Sequence, residues 1–152
     1  MKYKNKKGNL ANILTYLGLV PFVFLTLLIT NDVTTFSYTY PKEEFFLISY
    51  AAIINSFISG IYFGYAISSS RSNISNKLLI LSNIIALLAW LSLIVGIKST
   101  SIIILILCYI LNLIMDYFCY KNNIIEKWFF NLRLRISLIV IFCLVLSFWH
   151  IS

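Results

Sequence analysis

Phe45–Ile67, FFLISYAAIINSFISGIYFGYAI, carries no charge and is long enough to cross a bilayer as an α-helix. Within it Ala52, Ser56, Gly60 and Gly64 recur at four-residue intervals. On a helix that spacing stacks small side chains in one column. In hydrocarbon, burying apolar surface between helices gains little, so association depends on how closely two backbones approach. The stretch is the expected central span of a helical membrane protein. Its column is expected to close the bundle internally, with a dimer face as the alternative.

The rest of the chain fits that solvent. Of 152 residues, 61% are hydrophobic and 11% charged, more apolar side chain than a soluble core of this size could hide. The net charge of +7 does not point to nucleic acid, because the basic residues sit in short segments between apolar runs. Cys108, Cys119 and Cys143 all lie inside apolar stretches, an odd number with no CxxC spacing. No disulfide framework, metal or cofactor is expected.

Working outward, the spacing predicts spans over residues 12–29, 45–67, 78–97, 101–120 and 136–151. Lys2, Lys4, Lys6 and Lys7 precede the first like the charged part of a secretory signal, but no small-x-small cleavage site follows, so the span is expected to stay. Pro21 should bend it, since proline removes a backbone donor and crowds the preceding turn. Gly18 offers a point of close contact beside it. Phe36, Tyr38 and Tyr40 suit the headgroup region. Pro41, Glu43 and Glu44 make a good start for the second span, with carboxylates at the positive end of the helix dipole.

Ser68–Lys77 reads as a polar turn, and Lys98-Ser99-Thr100 as a tight hairpin making spans three and four antiparallel neighbours. In Lys121–Arg135, Ile125, Trp128, Phe129 and Leu132 fall at helical spacing. That segment is either a short amphipathic helix lying in the interface or the first turns of the last span.

Orientation follows from the cations. Lys2, Lys4, Lys6, Lys7, Arg71, Lys77, Lys121, Lys127, Arg133 and Arg135 lie on one side, and Lys42 and Lys98 on the other, ten against two. The N-terminus is therefore expected inside and the C-terminus outside. The first residues lack an arginine-rich amphipathic presequence, and the Lys/Asn/Ile-rich usage suits an AT-rich genome. A bacterial cytoplasmic membrane is the expected location.

Several segments together carry a resemblance. They are Gly18-Leu19-Val20-Pro21-Phe22, Tyr50-Ala51-Ala52, Ser56-Phe57-Ile58-Ser59-Gly60 with Gly64, Trp90, Asp116, and Trp128-Phe129 followed by Leu132-Arg133-Leu134-Arg135-Ile136-Ser137. In this order the chain resembles the small membrane proteins related to transmembrane protein 69, a domain-of-unknown-function family of proteobacteria and mitochondria. It departs from the family pattern at Ser59, where a second glycine is expected, and at Tyr62-Phe63, where histidine or arginine precedes tryptophan. The resemblance implies the membrane fold and carries no activity with it.

With that orientation, the polar intramembrane residues gather in the inner half: Thr15, Tyr16, Ser59, Tyr62, Ser82, Asn83, Asn112 and Asp116, with Arg133 and Arg135 entering at the same level. A carboxylate in hydrocarbon is costly unless paired, and an arginine at the start of the next antiparallel span is its obvious partner. Asp116 either binds a proton, cation or headgroup, or forms a structural lock with Arg133 while Asn83 and Asn112 bond across helices. The lock is preferred, because Asp116 is about one turn from Lys121, where water or snorkelling relieves the cost.

A lone His150, with no GxSxG, HExxH or phosphate-cradling loop, gives catalysis no footing. The expectation is an all-α bundle of five transmembrane helices, with a non-catalytic accessory or interaction role in a membrane assembly. A small transporter or ion pathway around Asp116 is the alternative. The expected partners are the lipid bilayer and another membrane protein or a second copy.

Overall fold

The computed structural model of the chain describes residues 2–31, 42–68 and 72–151. Six helices follow in order: α1 (Lys2–Leu17), α2 (Val20–Thr30), α3 (Glu43–Ser68), α4 (Ser72–Ile94), α5 (Lys98–Lys121) and α6 (Lys127–Ile151). They provide five stretches long and apolar enough to cross a membrane: Asn9–Thr30, Glu43–Ser68, Ile74–Ile94, Lys98–Lys121 and Lys127–Ile151. Phe36, Tyr38 and Tyr40 lie outside the described residues.

The first span is two helices because of Pro21, which sits in the first turn of α2. With no N–H to offer, it leaves the Leu17 carbonyl without its usual donor. The chain turns one step earlier, at Gly18 and Leu19. The Tyr50 hydroxyl of α3 donates to the Gly18 carbonyl at 3.0 Å, so the break is satisfied from across the bundle. Phe22 then packs its ring 5.0 Å from that of Tyr50.

Helices α2, α3, α5 and α6 close a ring, and α4 packs outside it against α3 and α5. Within their apolar windows α3 and α5 are each 44% buried, against 22–28% for the other spans, which makes these two the centre. Leu47, Ala51, Leu105, Tyr109 and Leu144 fill the space between them and their neighbours.

The small-residue column of α3 does not close the bundle along its length. Ala52 is buried and Ser56 half-buried, but Gly60 and Gly64 are exposed, and a Cβ added to either would meet nothing within 4 Å. The reason is helical phase. Each step of four residues overshoots a full turn by about 40°, so three steps carry the column about 120° around the axis.

A seven-residue step drifts by only about 20°, and the seam that does form has that period. The Ser75 hydroxyl of α4 donates to the Ala66 carbonyl of α3 at 2.7 Å. From that anchor, antiparallel pairing at seven-residue intervals sets Ser59 opposite Ser82 and Ala52 opposite Ala89, all of them buried. The α4/α5 hairpin repeats the device, with Ser101 Oγ donating to the Ser92 carbonyl at 2.6 Å.

One boundary differs from the sequence reading. The turn between α4 and α5 lies at Val95–Ile97, where Gly96 takes φ +69°, and Lys98, Ser99 and Thr100 are already helical. Of the two forms expected for Lys121–Arg135, the structure has the second: its helical part is the first turns of the last span, with no separate interfacial helix. Asn123 at φ 57° caps α5 in the left-handed conformation. Asn123 N–H donates to the Tyr120 carbonyl at 3.0 Å and Ile124 N–H to that of Cys119 at 2.9 Å, a Schellman cap. From Lys127, α6 runs unbroken through Ile151, roughly 37 Å by helical rise, longer than a hydrocarbon core of about 30 Å. Its first turns, with Trp128 half-exposed, therefore extend into the interface.

A candidate site where three helices meet

Asp116 lies five residues before the end of α5, and Arg133 six residues into α6. The Schellman turn folds these helices antiparallel, which brings the two side chains together. Arg133 Nε donates to Asp116 Oδ2 at 3.2 Å, with Asp116 1% and Arg133 8% exposed. Tyr62, on the facing side of α3, stands beside both charged groups and donates its hydroxyl to the Asn112 carbonyl at 2.9 Å.

One turn deeper the Asn112 carboxamide donates to Asn55 Oδ1 of α3. Another turn on, Tyr109 donates to the Ala51 carbonyl at 3.3 Å. Tyr109, Asn112 and Asp116 sit at helical spacing on one face of α5, so a single stripe of that helix bonds to α3 and α6.

Asn55 is absent from the sequence-derived cluster. The signal was the one carboxamide in the middle of the uncharged stretch Phe45–Ile67. Several expected members stand elsewhere. Asn83 is exposed on α4 and its Nδ2 donates at 2.8 Å to Leu79 O of its own helix, so it makes no cross-helix bond in the bundle. Its neighbour Ser82 took the buried position, and one residue turns the helix by about 100°. Arg135 is exposed, two residues and about 200° around α6 from Arg133. Tyr16 is also exposed, and Thr15 returns its hydroxyl to the Ala11 carbonyl at 2.7 Å.

Among the described residues, four buried side-chain polar atoms have no hydrogen-bond partner, and three of them, Arg133 Nη2, Asn55 Nδ2 and Asn112 Oδ1, belong to this cluster. The arrangement ties α3, α5 and α6 to one another and keeps unused hydrogen-bonding capacity within it. On the opposite side of the bundle, Lys98 and Glu44 form an ion pair of 3.2 Å that ties the starts of α3 and α5.

A family model described as a protein of unknown function, DUF3429, matches residues 8–149, which reaches all five spans and takes in the whole cluster. The chain belongs to the DUF3429 family. Transmembrane protein 69 of Xenopus tropicalis is 33% identical to this DUF3429 protein over 134 residues, covering 84% of the chain and 49% of the relative. The chain thus spans about half the length of that curated relative. No solved structure matches it. Family and fold together describe a multi-pass membrane protein.

Proposed function

We propose that this DUF3429 protein is a non-catalytic interaction component of a membrane assembly, docking through the outward face of α4. The observation that carries the reading is Asn83. It has eleven helical residues on either side in α4, which puts it near mid-bilayer, and it faces away from the bundle. Asn76, Ile80, Leu87, Trp90 and Ile94 continue the same exposed stripe at alternating steps of four and three. A carboxamide bonded only to its own helix leaves hydrogen-bonding groups toward hydrocarbon, which a partner helix with a polar side chain at that depth would satisfy. A coiled-coil-like seam with one central asparagine is also a means of setting register.

The tie between Asp116 and Arg133 supports a structural use of the inner charges. The lysine and arginine bias supports an N-terminus inside and a C-terminus outside, and the Lys/Asn/Ile-rich usage supports a bacterial cytoplasmic membrane. The second reading, a small transporter, is favoured by the presence of a carboxylate within the membrane at all.

Affinity purification from native membranes in mild detergent, with mass spectrometry, tests the docking. The expected result is a stable partner, a second copy or another membrane protein, recovered several-fold less by Asn83→Leu. Recovery of monomer alone would count against it. Ion or proton flux in reconstituted vesicles that Asp116→Asn abolishes would establish the transporter instead.

A further inference from the structure

The break at Gly18 and Leu19 has a second effect: α1 stands away from α3 and α6 and leaves a cleft of about 340 Å³ on the lysine-rich half of the bundle. Its walls come from α1 (Leu14), α3 (Ile58, Ile61) and α6 (Ile136, Val140), and Tyr109 lies at its back. Leu14 and Phe57 at its mouth are 59% and 70% exposed, so the cleft opens sideways toward lipid. Arg133 lines it too, more than nine-tenths buried, with Nε spent on Asp116 and Nη2 without a partner and itself enclosed, so that a ligand in the cleft reaches Nη2 only as the lining side chains shift.

We infer that this cleft binds one anionic phospholipid, with an acyl chain between α1, α3 and α6 and a phosphate oxygen accepting from Arg133 Nη2. Depth agrees with this occupant. Arg133 is about 9 Å along α6 from Lys127, a distance that a headgroup dipping inward and an arginine reaching outward can close. The guanidinium fork serves two acceptors at once, so binding keeps the ion pair with Asp116. The volume is at the lower end of small-molecule sites, and the apolar walls suit a hydrocarbon chain. A water-borne anion would find an entrance facing the wrong solvent.

Native mass spectrometry of the full chain, titrated with phosphatidylglycerol and with phosphatidylcholine of the same acyl chains, tests the site. The expected result is one retained phosphatidylglycerol, preferred about tenfold, the order set by one hydrogen bond to a charged group. The double variant Asp116→Asn/Arg133→Gln, which leaves no charge unpaired, should lose that preference. Ala11→Trp, which fills the cleft from α1 and leaves the ion pair alone, should lower occupancy of both lipids and decides the matter alone if the double variant does not fold. Asn83→Leu should change neither, separating this site from the docking face of α4. Equal retention of the two lipids, a preference that survives Ala11→Trp, or displacement by inorganic phosphate would overturn the assignment.

Discussion

Removing the Asp116 carboxylate would leave Arg133 charged, buried and without its anion, which costs far more than the intact pair contributes. Asp116→Ala is expected to destabilise the folded bundle by about 3 to 5 kcal/mol, read as a lowered unfolding midpoint in mixed detergent micelles. The exchange Asp116→Arg/Arg133→Asp should recover most of that loss, since it restores opposite charges at the same two positions. Failure of the exchange to recover any stability would mean that the pair is not the source. This contact was legible in the chain because a membrane span tolerates few charges and each needs a partner. The places of Asn83 and Arg135 were not, because neighbouring polar residues differ by 100° in direction and composition alone does not fix the phase.

At the level of helices, the consequential comparison is between two kinds of small residue on α3 and α4. Ser82 is 2% exposed in the seam between them, so Ser82→Leu would force the backbones apart, at about 1 to 3 kcal/mol for overpacking. Gly64 faces open space, so Gly64→Leu is expected to leave the midpoint unchanged or raise it slightly, as glycine is a poor helix former. Thermal unfolding of both variants in one detergent checks the pair of outcomes. The opposite order would restore the four-residue column as the packing face. The existence of five apolar helices followed from length and charge alone. Which small residues were buried depended on pitch and on register between two helices, which only their packing shows.

For the whole molecule, five consecutive spans of alternating direction are the expected topology, and the face on which each loop emerges tests it. Cys108, Cys119 and Cys143 are all buried, so a membrane-impermeant maleimide should meet little background in the folded protein. Lys77→Cys and Lys121→Cys should then be labelled from one face of sealed vesicles and Lys98→Cys from the other. Labelling of all three from the same face would break the topology.

The linear order of residues by itself determined the solvent, the number of crossings and the need to pair Asp116, because these depend on how much charge and apolar length each stretch carries. Tertiary structure alone decided that Asn55 joins the cluster while Asn83 leaves it, that the α3/α4 seam runs by sevens, and that α1 opens a cleft beside Arg133. Each of those outcomes depends on how one helix is turned or placed relative to a neighbour, a quantity that comes into being only when the helices meet.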